Sequence, residues 1–375
     1  MIFVHTADWQ IGMKAAHAGT AAGRIREARF DAARRVVELA RQHQADFLVL
    51  AGDTFEDNAV DRKLVQRVAD TLAAFAGPVY LLPGNHDPLV PGSVWEHPAW
   101  AACDRLHILA KAEPIDVPDG RLYPCPLFEK HGSSDPTIAI AAADDQRIAV
   151  GVAHGSVEGI PQDRPDFPIA RDAAARAGLD YLALGHWHST AAYDGRMAYS
   201  GTHETTKFNE RDSGNALLVE IDRRGALPRL TTLRTGGLTW LSLDEPIRAE
   251  GDLARVRQEV ESIADPEQTL LEIALHGVLH AADRDELSRI DEIAAARSLF
   301  HRIDASRLLP APEDDRWLDD LPDGPIRAAA RRLQALANSE ATDGTPERAS
   351  SEATSPEVAA RALFDLYAIA SGGRR

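Results

Sequence analysis

The 375-residue chain carries 41 Lys and Arg residues against 58 Asp and Glu residues, a formal net charge of -17, and 44% of its residues are hydrophobic. This length is sufficient for one large domain and a smaller one. The negative charge argues against a generally basic surface that binds nucleic acid, although a local basic patch remains compatible with it. No run of about 18 apolar residues predicts a membrane span, and no basic leader precedes the first apolar run. We therefore expect a cytoplasmic protein without a membrane segment.

The two cysteines, Cys103 and Cys125, lack the CxxC spacing of zinc and redox sites. We expect both to be reduced packing residues.

Along the chain, the first elements alternate between extended and helical patterns. Strands are predicted at 2–8, 46–53 and 78–87, with amphipathic helices at 24–42 and 64–75 between them. This order indicates successive β-α-β units and hence an α/β fold.

The middle of the chain is richer in apolar runs separated by short turns. These runs predict strands at 147–155, 179–188, 196–202, 215–222 and 225–235. Their number and the short turns favour two sheets packed between helices.

The pattern changes near residue 237 to a compact β-α-β-α-β alternation. Its predicted elements are an extended run at 238–243, a helix at 252–263, a strand at 270–277, a helix at 284–297 and a strand at 300–306. A helix at 326–337, a Ser-, Thr- and Glu-rich stretch at 339–356 that is typical of a disordered linker, and a terminal helix at 357–370 follow. We predict a first domain at 1–236, a second at 237–309, a linker with one helix at 310–354, and a terminal helix at 355–375.

Polar side chains typical of metal sites follow the ends of separate predicted strands. They are Asp8 and Gln10, Asp53, Asn85 with His86 and Asp87, His154, and His186 with His188. Each alone has an ordinary explanation as a turn former or a packing residue. Ligands bind beyond the carboxyl ends of strands in such sheets, where all five groups would meet. The oxygen and nitrogen donors together therefore predict a metal site.

The order of these groups resembles the calcineurin-like metallophosphoesterases, whose pattern is D-x-H, G-D, G-N-H-D/E, H and G-H-x-H. The resemblance covers roughly residues 1–235 and implies a four-layer β-sandwich flanked by helices. Within the family, HTADW, LAGDTFEDN, LLPGNHDP and YSGTHETTKFNE are similar to the SbcD-like DNA-repair exonucleases. These proteins carry a small α/β capping domain after the phosphoesterase domain, which segment 237–309 fits in size and pattern.

The resemblance implies a centre of two divalent metal ions that acts on phosphodiesters. Asp53 would bridge the ions, with Asp8, Gln10 and His188 on one ion and Asn85, His154 and His186 on the other. His86 would face the scissile phosphate as acid or charge stabiliser. Asp87 would either hold the His86 ring or cap the turn. The donor types suit Mn²⁺ best and leave Mg²⁺, Fe²⁺ and Zn²⁺ open.

Gln10 departs from the family pattern, which has His at this position. Side chains two residues apart face one side of a strand end, so both Asp8 and Gln10 can reach one ion. An amide oxygen is a weaker and harder ligand than an imidazole nitrogen. We expect Gln10 to bind the ion directly or through water, with lower affinity and a stronger preference for Mn²⁺ or Mg²⁺. Some phosphoesterases of the nucleotide-pyrophosphatase kind carry D-x-Q, which keeps a small-nucleotide substrate open.

A basic run follows the first metal-binding motif. Its Arg24, Arg26 and Arg29, with Lys207 and Arg211 further along, are candidates for contacts with a nucleic-acid backbone. A solvated helix face is the alternative.

Three functions follow from these observations. The first is a DNA exonuclease or endonuclease subunit of an SbcCD-like repair complex. The resemblance implies for it an SMC-like ATPase partner, bound through the terminal helices, and a homodimer. The second is a phosphodiesterase or pyrophosphatase acting on small nucleotides. The third is a metal-dependent scaffold with vestigial hydrolysis. The terminal helix could equally pack on its own chain.

Overall fold

The computed structural model describes residues 1–159, 166–280, 283–310, 315–338 and 356–372. The chain divides into two compact units, Met1–Thr239 and Trp240–Arg375. The predicted disordered stretch, apart from Pro356, lies outside the described residues.

In the part of the first unit that the structure describes, there are twelve strands and three α-helices. The strands are β1 (Ile2–Thr6), β2 (Phe47–Leu50), β3 (Val79–Leu81), β4 (Leu106–Ile108), β5 (Ile115–Val117), β6 (Gly120–Pro124), β7 (Ile148–His154), β8 (Tyr181–Gly185), β9 (Ala191–Tyr193), β10 (Met197–Tyr199), β11 (Asn215–Glu220) and β12 (Arg229–Arg234). The helices are α1 (Ala22–Gln42), α2 (Arg62–Ala73) and α3 (Ala173–Arg176).

These strands form two six-stranded sheets. The first has the order β12-β11-β1-β2-β3-β4, and the second has the order β5-β6-β7-β8-β10-β9. Strands β1 to β4 run parallel, as do β6, β7 and β8. Parallel neighbours bring their carboxyl ends to one edge of the sheet. The strand ends of the two sheets also meet, since Nδ1 of His154 lies 2.9 Å from the Ala51 carbonyl, so the residues that follow β1, β2, β3, β7 and β8 can share one site.

Apolar side chains of both sheets form a common core. Phe3 stacks on Phe47 at 4.7 Å between ring centroids, and Val150 and Ala183 of the second sheet belong to the same buried cluster. The outer face of the first sheet is covered by α1 and α2, and that of the second by α3. The predicted α/β fold, with two sheets between helices, is confirmed.

Helix α2 starts two residues before its predicted position, because Asp61 caps it. The Asp61 side chain accepts a hydrogen bond of 2.8 Å from the Lys63 N–H. A cap of this kind satisfies one of the free N–H groups of the first turn.

His5 is a fully buried histidine in the core between the sheets. Its Nε2 donates to the Leu184 carbonyl at 3.1 Å, so Nδ1 accepts from the Tyr181 hydroxyl at 2.9 Å. Burial lowers the pKa of His5 from 6.5 to about 3, although the Leu184 carbonyl opposes the shift. The folded state therefore keeps the ring neutral where the unfolded state takes up a proton.

We predict that His5→Gln makes the metal-free protein less sensitive to acid, because the amide can make the same two hydrogen bonds without titrating. Below pH 6.5 the unfolded wild type binds the extra proton, so stability is lost as the pH falls. Between pH 7 and pH 5, the wild type should lose about 2 kcal/mol more unfolding free energy than the variant, from 1.36 kcal/mol per pH unit below the unfolded pKa. Urea unfolding in EDTA measures this difference. Replacement of the exposed His43 by Gln is the control.

The second unit is built on a three-stranded sheet in the order β13-β14-β15. Its elements are β13 (Thr239–Ile247), α4 (Asp252–Glu261), β14 (Thr269–Leu279), α5 (Arg284–Arg297), β15 (Phe300–Pro310), α6 (Pro325–Ala337) and α7 (Pro356–Gly372). Val256 of α4 and Ile290 of α5 pack on Ile273 of the sheet in one buried cluster. The β-α-β-α-β order is the one read from the sequence, and α5 has the predicted bounds.

Helix α7 packs on its own unit. Leu363 and Leu366 lie against a small core with Leu318 and Leu321, and Tyr367 meets another aromatic ring edge-on at 5.1 Å. A short isolated helix is marginally stable in water, and these contacts cover part of its apolar surface. Among the described helices, none is both long enough and apolar enough to span a bilayer.

Candidate metal centre

The turn after β1 carries the first two predicted ligands. Asp8 and Gln10 have φ angles of 55° and 41°, in the left-handed region that side chains other than glycine rarely adopt. The Asp8 N–H donates to the Gly52 carbonyl at 3.1 Å, and the Gln10 N–H donates to the Asp53 carbonyl at 2.9 Å. Strained backbone of this kind persists where surrounding structure fixes it, and it clusters at functional sites.

The turns after β2 and β3 pack against the site without spare room. A Cβ atom on Gly52 would lie 2.2 Å from Nδ1 of His154, and a Cβ atom on Gly84 would lie 2.2 Å from Oδ1 of Asp53. Gly52 also has a φ of 94°. Glycine therefore allows the backbones of these two turns to approach the ligand side chains closely.

Five of the predicted ligands contact one another: Asp8, Asp53, Asn85, His154 and His186. Donor atoms of Asp8, Asp53 and His154 all lie within 4.8 Å of one another. Nε2 of His154 is 2.9 Å from Oδ1 of Asn85 and 3.2 Å from Oδ2 of Asp53. Nδ1 of His186 is 3.1 Å from the same Asn85 oxygen. The His186 N–H also donates to the Asp8 carboxylate at 3.1 Å.

The electrostatics of this cluster favour a cation. Burial raises the pKa of Asp8. Burial also opposes ionisation of Asp53, but the neighbouring His154 and His86 outweigh it and lower the Asp53 pKa. For His154, the Asp53 carboxylate overcomes burial and raises the pKa to about 9. Two buried carboxylates, an amide and imidazoles at this spacing fit divalent cations of the Mn²⁺ type, which would supply the positive charge that His154 otherwise carries.

His188 is held by a carboxylate that the sequence interpretation left without a role. Its Nδ1 lies 2.8 Å from Oε1 of Glu210. Glu210 in turn accepts hydrogen bonds from the Thr206 N–H at 2.7 Å and the Thr206 hydroxyl at 2.6 Å. The ring therefore keeps Nε2 for a metal ion. Glu210 ends the YSGTHETTKFNE motif, so the motif could have pointed to this residue.

The Gln10 side chain makes no hydrogen bond to the described residues.

We predict that Glu210→Gln weakens metal binding at the ion held by His188. A neutral amide no longer fixes the Nδ1 proton by charge, and loss of such outer partners costs about 10- to 100-fold in metal affinity. Titration of Mn²⁺ followed by electron paramagnetic resonance measures the change. Glu220→Gln, which breaks a surface pair with Arg229 at 2.9 Å, is the matched control and should bind Mn²⁺ like the wild type.

His86 stands at the edge of the cluster. Its N–H donates to Oδ1 of Asp53 at 2.8 Å, and its Nδ1 donates to the Glu56 carbonyl at 2.9 Å. Nε2 therefore lacks a proton in the neutral ring and carries one in the imidazolium form. Only the latter can donate a proton from this atom.

Of the two roles predicted for Asp87, the structure has the turn cap and not the bond to the His86 ring. The Asp87 carboxylate accepts from the Phe55 N–H at 2.9 Å and from the Gly84 N–H at 2.8 Å. The backbone of the two ligand turns takes both oxygens, and the Glu56 carbonyl takes the place of Asp87 beside the ring. Asp87 therefore fixes the turns, as the turn-capping alternative states. Burial, with the nearby Asp53 charge, raises its pKa to about 8.

The residues predicted to contact nucleic acid differ in their exposure to solvent. Arg24 forms an ion pair with Asp31 at 3.0 Å on the surface of α1, and Arg26 is exposed. Lys207 and Arg211 are also exposed. Prediction of Arg29 as a surface contact is wrong, because its side chain is buried and bonded to main-chain carbonyls.

A cavity of about 350 Å³ opens beside the metal ligands. It is lined by His186, Trp187, His188, Ser189, Lys207, Asn209 and Glu210. An aromatic ring, a cation and an amide therefore lie next to the predicted metal centre.

The chain is similar to known phosphoesterases. A model of the calcineurin-like phosphoesterase family matches residues 1–190. An uncharacterised metallophosphoesterase, YhaO of Bacillus subtilis (strain 168), is 26% identical over 211 residues, which are 53% of this chain and 51% of YhaO. The chain thus spans about half the length of this curated relative. A crystal structure of TT1561 of Thermus thermophilus aligns with a TM-score of 0.40 at 10% identity, over 62% of this chain and 98% of that one. With the family model matching half of its length and the predicted ligands gathered where the strand ends of the two sheets meet, the chain belongs to the calcineurin-like phosphoesterases.

Proposed function

We propose that this protein is a DNA nuclease subunit of the SbcD kind, which hydrolyses phosphodiester bonds at a centre of two divalent metal ions. It would act in DNA repair in the cytoplasm with an SMC-like ATPase. The observation that carries the proposal is the position of His86. Its N–H is bonded to Asp53, the residue assigned to both ions, while its Nε2 is left for a substrate.

The residues of the centre would have the following roles in hydrolysis. Bound Mn²⁺ would supply Lewis-acid charge to the phosphate. Asp8, Gln10 and His188 would hold one ion, Asn85, His154 and His186 the other, and Asp53 would join them. The His86 imidazolium would give its Nε2 proton to the leaving oxygen or stabilise its developing charge.

The cavity beside the centre supports a nucleic-acid substrate. Trp187 offers an aromatic surface on which a base can stack, and such stacking is sequence-tolerant. Lys207 offers a cation for a neighbouring phosphate. Arg24 and Arg26 would contact the backbone further along the strand.

The C-terminal helix supports an ATPase partner only in part. One face of α7 packs on its own unit, but Ile369 is 73% exposed. An exposed apolar side chain on a helix suits a groove in a partner. The homodimer remains part of the same proposal.

A phosphodiesterase of small nucleotides is the second candidate, and Gln10 is the observation that favours it. The decisive experiment incubates the protein and Mn²⁺ with 5'-labelled single-stranded DNA, duplex DNA and bis-p-nitrophenyl phosphate. Cleavage of DNA supports the nuclease. Turnover of the ester without DNA cleavage favours the second candidate, and two bound ions without any turnover would favour a scaffold.

A further inference from the structure

We propose that Arg29 is a positioning residue of the metal centre, whose guanidinium holds the Asp8–Gln10 turn in the conformation that aims both side chains at one ion. This inference rests on the proposed two-metal centre, but it does not require DNA as the substrate.

The backbone of this turn has two sets of partners. Its N–H groups face the next ligand turn, since Asp8 donates to the Gly52 carbonyl, and Gln10 donates to the Asp53 carbonyl at 2.9 Å. The carbonyl groups of Asp8 and Trp9 face the opposite way, toward α1. A buried carbonyl without a partner costs about 1–3 kcal/mol, so the carbonyls of this strained turn need donors.

Arg29 supplies those donors. Its Nε donates to the Trp9 carbonyl at 2.8 Å, and its Nη2 donates to the Asp8 carbonyl at 3.2 Å. Nη1 reaches the Glu204 carbonyl at 3.1 Å. One planar group thus joins two successive carbonyls of the turn to a segment far away in the sequence. An arginine can do this from three nitrogens held in one plane, whereas a lysine has one nitrogen in their place.

The same segment fixes the turn from a second side. The Thr202 hydroxyl donates to the Asp8 carbonyl at 2.8 Å. The ring of His203 stacks on Trp9 at 4.9 Å and bonds to the Arg29 carbonyl at 2.8 Å through Nε2. The chain then continues to Glu210, which holds His188. Arg29 therefore connects the supports of Asp8, Gln10 and His188, the three residues assigned to one ion.

Burial of Arg29 is too costly to serve packing alone. Its side chain is 1% exposed and has no carboxylate within ion-pair distance among the described residues. Burial lowers the pKa of Arg29 to about 10, so the group stays charged at neutral pH. An apolar side chain would fill this face of α1 without the desolvation of a charge. A buried cation in this place is explained by the carbonyls that it binds.

The test measures Mn²⁺ binding by electron paramagnetic resonance in Arg29→Met and Arg29→Lys. Arg29→Met keeps the side-chain volume but has no donor, and Arg29→Lys keeps the charge but has one nitrogen in place of three, so neither can join the two turn carbonyls to the Glu204 carbonyl as the arginine does. In each we expect one of the two ions to bind about 10-fold more weakly, as for other outer-shell losses, while the second ion keeps its affinity within about twofold. For the smaller variant Arg29→Ala, millimolar methylguanidinium should restore much of the lost affinity.

Arg34→Met is the matched control, since Arg34 lies on the same helix but pairs with Asp31 at the surface. It should bind Mn²⁺ like the wild type. Wild-type affinity for both ions in either folded Arg29 variant would overturn the proposal, as would an equal loss at both ions without rescue by methylguanidinium. A wild-type protein that fails to bind two Mn²⁺ would instead contradict the metal centre itself, whatever the outcome with DNA.

Discussion

His86→Ala is expected to abolish phosphodiester hydrolysis while both metal ions stay bound. The imidazole is bonded through Nδ1 to the Glu56 carbonyl and presents Nε2 at the edge of the ligand cluster. Removing the ring takes away the acid or the charge stabiliser, which is worth about 10²- to 10⁴-fold in rate. The His86 N–H that donates to Asp53 belongs to the backbone and survives the substitution. The ligands should therefore keep their positions.

Two measurements check this expectation together. The rate of bis-p-nitrophenyl phosphate hydrolysis at saturating Mn²⁺ reports the chemistry, and Mn²⁺ titration reports the occupancy. His107→Ala is the control, because His107 stacks on Tyr80 at 5.1 Å at the edge strand β4, away from the ligands. A His86→Ala protein that retained the wild-type rate would remove His86 from the chemistry. One that lost its metal would show that the ring supports the site rather than the reaction.

Much of the candidate site could be predicted because its ligands are local to strand ends. Each of Asp8, Asp53, Asn85, His154 and His186 follows or ends a strand, and the parallel order of the strands brings the ends within each sheet to one edge. The packing of the two sheets against each other then brings the two edges together. The succession of strands and helices along both units is likewise set by hydrophobic patterns that operate over a few residues.

Arg29 was assigned to the wrong environment because it was grouped with its charged neighbours. The helical spacing instead indicates a position on the buried face of the helix. Ile25 and Ala33 lie four residues before and after Arg29, and all three are buried on one face of α1. Residues at this spacing share a face, so the arginine belonged to the apolar stripe. What the sequence could not provide was the reason, since its acceptors lie in a turn 20 residues earlier and in a segment about 175 residues later.

The hydrogen-bond partners of Asp87 and Glu210 could not be predicted from the sequence either. Asp87 follows His86 in the chain, and this adjacency suggested a hydrogen bond between the two side chains. In the structure, the Asp87 carboxylate instead accepts hydrogen bonds from two backbone N–H groups. Glu210 lies 22 residues from His188, and only the return of the chain after β10 brings the two together. Partners outside the direct ligands depend on how loops pack, and loop packing leaves little trace in local patterns.

Gly52→Ala is expected to be among the most damaging small substitutions in the protein. Two costs combine at this position. The φ of 94° is unfavourable for any residue with a Cβ atom, by about 1–2 kcal/mol. The new methyl group would also lie 2.2 Å from Nδ1 of His154, and that nitrogen is bonded to the Ala51 carbonyl at 2.9 Å. The ring must shift, and its Nε2 then leaves Asp53 and Asn85.

Gly92→Ala separates the two costs. Gly92 has a φ of 80°, but a Cβ atom there would meet no atom within 4 Å. Its unfolding free energy should therefore fall only by the cost of the positive φ, about 1–2 kcal/mol as at Gly52, and it should bind Mn²⁺ as the wild type does. For Gly52→Ala we expect an additional loss of about 1–3 kcal/mol from the overlap, together with weakened Mn²⁺ binding. Urea unfolding without metal and Mn²⁺ titration of the folded protein measure the two effects. Equal behaviour of the two variants would mean that His154 can move without cost, and the close approach of the ligand turns would then have no part in holding the metal.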